Sequence, residues 1–273
     1  MKTVADEGHG VGESSQHCAA GIESDAVSVS TAVLRVKTPW LIGFGLAGVA
    51  ELVFVASHRL HRADLITLWI VAPLLAIWTW RARGPKLLVL ALMLCWVGDV
   101  LGNPAAIGIG RSGLLLSVVA YVGANVCLII LFVRDGALTA LRKAFRGSQR
   151  WRVGIASLYL VAAIIGLALA WNGLGPMLHA GAAIYLLLLV GTAATALALD
   201  TCAGIGAALF FGSELVIALE VGGRLDGTAA SFRLAVLALY MFGILLIAVG
   251  VVKRELRTKR ESLDGTEPVH RVS

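Results

Sequence analysis

The sequence predicts an all-α polytopic membrane protein, a bundle of eight transmembrane helices with both termini cytoplasmic. Three observations predict it. Of 273 residues, 58% are hydrophobic and only 15% charged, with a mean hydropathy of +0.86, so there is too little polar surface to cover a soluble globule. The apolar residues gather into eight runs, each close to the ~20 residues a helix needs to cross hydrocarbon. The runs lack two-residue alternation, which argues for helices over a barrel.

Residues 1–38 are rich in Gly, Ser, Ala and acids and hold no apolar signal-peptide core, so they read as a disordered cytoplasmic tail. Spans follow at 39–57, 64–81, 86–104, 112–133, 152–171, 177–199, 203–220 and 232–252, the first, second and seventh being short. The polar turn LDTCAG near Gly204 is the least marked boundary. Residues 253–273 read as a second solvated, disordered cytoplasmic tail, leaving 39–252 as the transmembrane domain. With the N-terminus inside, the inner segments carry Arg35, Lys37, Arg81, Arg83, Lys86, the group from Arg134 to Arg152 and the cluster from Lys253. The outer segments hold only Arg59, Arg62, Arg111, Arg224 and Arg233. That bias predicts the orientation of a multi-pass protein of the cell membrane. The cluster from Arg142 to Arg152 reads as a cytoplasmic loop resting on anionic lipid headgroups.

The formal charge of +6 lies in short clusters between apolar runs, a topology signal that argues against a nucleic-acid partner. Cys18, Cys95, Cys127 and Cys202 form no CxxC pair and read as inert thiols. HExxH, GxSxG and Walker-type motifs are absent, so neither a metal nor a cofactor is expected. Gly43, Gly45 and Gly48 fit GxGxxG, but inside an apolar run close helix packing explains them better.

The polar residues inside the spans carry the chemistry. A carboxylate at bilayer depth costs roughly 2.5–3.5 kcal/mol, and Glu51, Asp99 and Glu214 lie there with no Lys, Arg or His in any span interior to pair with. At 1.5 Å per residue they stand about 18, 20 and 17 Å above the cytoplasmic start of the first, third and seventh spans. Tyr121, Tyr185 and Tyr240 fall at about 18, 21 and 18 Å, with Asn125 one turn from Tyr121 and slightly lower. These residues could line one polar cavity, and Gly98 and Ser213 beside the acids would leave access to them. Each also has a structural reading. A protonated Glu51 can bond a backbone carbonyl, and each phenol can simply pack with its hydroxyl satisfied. His179 and Glu220 fall at outer span ends, as interfacial residues do.

The runs ALMLCWVGDVL, GRSGLLLSVVAY, GAALFFGSELVIAL and LALYMFGILLIAVG together resemble the YhhN-like lysoplasmalogenase family of eight-span membrane proteins. The resemblance covers about 64–252. Gly98 and Asp99 match the family's third-span Gly-Asp pair. Gly206, Ala207, Leu209, Phe210, Ser213 and Ala218 match its seventh-span run, with Glu214 at the family's aspartate. A Lys-Pro of the second span reads Ala72-Pro73 here, a histidine of the fourth falls on Tyr121, and a glutamine of the last on Ile244. The resemblance implies hydrolysis of the vinyl ether bond of lysoplasmalogens, releasing a fatty aldehyde and a glycerophospho-alcohol. On that implication Asp99 and Glu214 are the catalytic acids, and the polar residues read from the spans themselves, Tyr121, Asn125, Tyr185, Ser213, Tyr240 and Glu51, stand around the substrate.

Two acids suit that reaction. Vinyl ethers break after protonation of the β-carbon, which makes an oxocarbenium ion that water captures. One protonated and one ionised carboxyl serve both halves, as in glycosidases. Two nearby carboxylates resist double ionisation, so a shared proton is expected at neutral pH. The implied partners are a lysophospholipid or other amphiphilic lipid and the surrounding membrane lipids. Two other readings fit the residues: a catalytically inactive family member, and a small-molecule or proton-coupled carrier, since proton relays also use acids at one depth.

Overall fold

The computed structural model describes residues 38–57, 63–102, 110–147, 149–226 and 229–264. The fold among the described residues is helical throughout. Its elements are α1 (Thr38–Ser57), α2 (Ala63–Arg81), α3 (Lys86–Leu101), α4 (Gly110–Arg134), α5 (Ala137–Arg146), α6 (Arg150–Ala170), α7 (Pro176–Leu199), α8 (Thr201–Val221) and α9 (Ala230–Asp264). Each predicted span has its helix. Five of them, α4, α6, α7, α8 and α9, are long and apolar enough to cross a bilayer by length and composition.

The side-chain distribution is that of a membrane protein. Ile42, Leu46, Val49 and Val53 form an outward stripe along α1, each more than half exposed, and Leu158, Ile164 and Ile165 do the same on α6. Polar Thr79, Ser117, Asn125, Thr192 and Ser213 are buried instead. Water does not tolerate so large an apolar exterior, whereas hydrocarbon does. The chain is a multi-pass membrane protein.

Helices α2, α3 and α4 pack in sequence, α4 lies against α7, and α6, α7 and α8 contact one another. The most extensive contact is α8 on α9, and α9 also touches α2. Glycine explains how the two helices approach so closely. A Cβ on Gly206 would stand 2.6 Å from the Ile247 nitrogen, and one on Gly243 would stand 2.8 Å from the Phe210 nitrogen. Backbone meets backbone there, which in lipid is the main source of helix–helix attraction.

Asp200 makes the short turn near Gly204. Its extended backbone ends α7, and its Oδ1 accepts from the Ala203 N–H at 2.9 Å, capping α8. Arginines satisfy the carbonyls at the end of α7: Arg152 Nη1 donates to Ala198 O at 2.8 Å, and Arg254 Nη1 donates to Leu199 O at 2.9 Å. Arg254 Nη2 also donates to Asp135 O at 2.9 Å, so one side chain ties α9, α7 and the α4–α5 link together.

Two segments differ from the sequence expectation. The stretch read as a loop around Arg142 contains α5, whose Ala137 and Ala144 are buried while Leu138 and Phe145 are exposed beside Arg142, Lys143 and Arg146. An apolar stripe with flanking cations favours a surface helix over an irregular loop. The stretch 253–264, expected to be a disordered tail, continues α9 to Asp264. Lys, Arg, Glu and Leu are good helix formers, and Lys259 pairs with Glu255 one turn back at 3.0 Å. The expected tails at 1–37 and 265–273 lie outside the described residues.

Candidate functional site

A cavity of about 510 Å³ opens where α3, α6 and α8 end and α4, α7 and α9 begin. Most of its wall is apolar, with Leu114, Val118, Leu167, Leu178, Leu186 and Ile217 prominent. Into it come Asp99 from α3, Ser117 and Tyr121 from α4, Tyr185 from α7, Glu214 and Glu220 from α8, and Arg233 from α9.

Asp99 is held by two phenols. Tyr121 Oη donates to its Oδ1, and Tyr240 Oη donates to its Oδ2 at 2.7 Å. Gly98 makes the first bond possible, because its bare Cα lets the Tyr121 ring lie against α3. A Cβ at Gly98 would stand 2.7 Å from Tyr121 Cε2. One turn on, a Cβ at Gly102 would stand 2.9 Å from Ser117 Oγ, and that hydroxyl donates to Gly98 O at 2.8 Å. Glycines four apart thus let α4 press on α3 at the level of the acid.

Glu214 is only 6% exposed. Asp99 lies within electrostatic reach of it and the Tyr185 phenol faces it, close enough to interact. Glu214 Oε1 and Tyr185 Oη nevertheless fall short of full hydrogen-bond geometry with any protein partner among the described residues. Among the described residues no cation forms an ion pair with either acid. The rings support one another: the Tyr121 and Tyr185 centroids are 6.2 Å apart, and those of Phe210 and Tyr240 are 5.9 Å apart.

The sequence model of the YhhN family matches residues 63–251, from the start of α2 almost to the point where α9 turns polar. The chain belongs to the YhhN family. No curated protein and no solved structure is significantly similar to it.

In this YhhN protein Asp99, Tyr121, Tyr185 and Glu214 line one cavity, and Tyr240 joins them through Asp99. Two other residues expected around the substrate are placed off its wall. Asn125 is fully buried between α4 and α7, donating to Tyr121 O at 3.0 Å and accepting from Thr192 Oγ1 at 2.8 Å. Ser213 turns back to donate to Phe210 O at 2.8 Å within its own helix. The side chain of Glu51 lies outside the described residues. The sequence reading missed Ser117 and Gly102, and it placed Glu220 at the interface without linking it to the acids. Ser117 precedes Tyr121 by one turn on the same helix face, the signal that could have found it. Cys95 is likewise buried one turn before Asp99, within electrostatic reach of both carboxylates.

Proposed function

We propose that this YhhN-family protein is an integral membrane hydrolase that cleaves the vinyl ether bond of lysoplasmalogen-type lysophospholipids. The observation that carries the reading is the meeting of Asp99 and Glu214 at one largely apolar cavity. We take the chain to cross the cell membrane eight times with both termini in the cytoplasm, the cavity opening toward the outer face.

Hydrogen-bond inventory supports a division of roles. Asp99 receives a proton donor on each oxygen, which suits an ionised, acceptor-only carboxylate. Glu214 has a free oxygen and can hold the proton. Glu214 then gives that proton to the β-carbon of the vinyl ether, and the C=C electron pair forms the new C–H bond. Asp99 stabilises the oxocarbenium ion on the other carbon. Water adds to that carbon, losing a proton to the carboxylate pair, and the resulting hemiacetal breaks its C–O bond. The hemiacetal hydroxyl proton passes to the departing oxygen, leaving an aldehyde, a glycerophospho-alcohol and a reprotonated Glu214. An apolar wall keeps bulk water from competing for the charges during these steps.

Purified protein supplied with a lyso vinyl-ether phospholipid should release long-chain aldehyde. Asp99→Asn and Glu214→Gln should each lower the rate by at least about a hundredfold while keeping the wild-type melting temperature within a few degrees. Aldehyde release unchanged in both variants would remove the acid pair. Passage of the lipid across sealed vesicles without cleavage would favour the carrier reading.

A further inference from the structure

We infer that Glu220 and Arg233 form a two-charge rim that selects a zwitterionic phosphate–ammonium headgroup for the cavity; this rests on the lysophospholipid reading above.

Both side chains line the cavity, Glu220 from the last turn of α8 and Arg233 from the first turn of α9. Glu220 follows Glu214 by six residues and Arg233 precedes Tyr240 by seven, so they stand about 9 and 10.5 Å along their helices from the acid level. One negative and one positive group thus share one level at the mouth, above a floor that holds the carboxylates. They do not neutralise each other, since no ion pair joins them within 4.0 Å. The neighbouring Arg224 donates its Nε to Leu169 O at 2.7 Å and does not line the cavity.

The spacing fits an amphiphile bound with its ether carbon at the acids. From that carbon through the glycerol to phosphorus is a chain of six bonds, reaching about 7–8 Å when extended. The arginine can close the remaining distance by bending inward. Arginine suits a phosphate diester through its planar fork of donors, and a carboxylate beside it suits the ammonium that follows. The same carboxylate repels a headgroup that carries net negative charge, so the pair discriminates as well as attracts.

The test measures binding rather than cleavage. Saturated 1-O-alkyl lysophospholipids lack the reactive double bond, and two of them serve as probes: one with a phosphocholine headgroup and one ending in a bare phosphate. The full-length protein should bind the phosphocholine probe about tenfold more tightly than the phosphate probe. Glu220→Gln should erase that preference, and Glu220→Lys should reverse it. Arg233→Gln should weaken both probes. Thermal melting of each variant confirms that the fold is kept. Equal affinity of the wild-type protein for both probes, or a preference untouched in the Glu220 variants, overturns the rim while leaving the hydrolase intact. Failure of the wild-type protein to bind either probe overturns both readings together.

Discussion

Tyr240 on the last helix donates a 2.7 Å hydrogen bond to Oδ2 of Asp99 on the third, joining residues 141 apart in the chain. With Tyr121 on the other oxygen, the carboxylate is fixed in both position and rotation. Tyr240→Phe removes one donor and leaves a partly buried oxygen unpaired. It should cost about 1–2 kcal/mol of stability, and it should lower aldehyde release much further than that cost explains. Wild-type turnover in a destabilised Tyr240→Phe protein would make the bond structural only.

Gly98 can be separated from Asp99 by experiment. Gly98→Ala puts a methyl 2.7 Å from the Tyr121 ring, so the ring must swing away and its hydroxyl must leave Asp99. Activity should fall to the level of Tyr121→Phe, with about 1–3 kcal/mol lost from packing. The double variant Gly98→Ala, Tyr121→Phe should be no less active than either single one. Additive losses would show that Gly98 acts through something other than the phenol.

Asn125 supplies a control. Its amide links α4 to α7 beneath the cavity, so Asn125→Ala should destabilise by about 1–3 kcal/mol and leave KM for the lipid nearly unchanged. A rise in KM with the melting temperature unaltered would return it to the substrate wall.

The α8–α9 seam sets where Glu214 and Tyr240 stand. Gly243→Val would drive a branched side chain into the Phe210 backbone, already 2.8 Å from an added Cβ. The variant should be recovered largely as aggregate in size-exclusion chromatography, whereas Gly212→Val, where an added Cβ meets nothing within 4 Å, should elute as wild type. Equal behaviour of the two would deny the seam its role.

Asp135, just beyond α4, has its carboxyl held above the usual carboxylate range, chiefly by burial, with Glu255 adding to the shift and Arg254 and Arg134 opposing it. The folded protein therefore binds this proton more tightly than the unfolded chain does. The stability from the neutral form is fully present below the ordinary value near pH 4 and is lost as pH rises through the folded value. Asp135→Asn should flatten that part of the melting-temperature profile between acid and neutral pH. A steeper decline in the variant would contradict the sign.

The helices were legible because lipid demands a long uninterrupted apolar run, and nothing else in this sequence produces one. Depth was legible too: a fixed rise per residue brings Asp99, Glu214 and the tyrosines to one level. Facing was harder. Ser213 is adjacent to Glu214, but one residue turns a helix by about 100°, and its hydroxyl bonds its own backbone. Asn125 shares the face of Tyr121 but sits a turn further along, where α4 and α7 have already closed together. The helix α5 was hidden because its ten residues are too short and too charged to register beside eight apolar runs.

The arginine contacts at the finish of α7 have a counterpart at the other end of the bundle. Arg152 and Arg254 join α6, α7, α9 and the α4–α5 link at the end away from the cavity. At the cavity end Arg224 ties the α8–α9 link to the last turn of α6. Guanidinium groups thus cross-brace both ends through helix-terminal carbonyls that would otherwise lack partners.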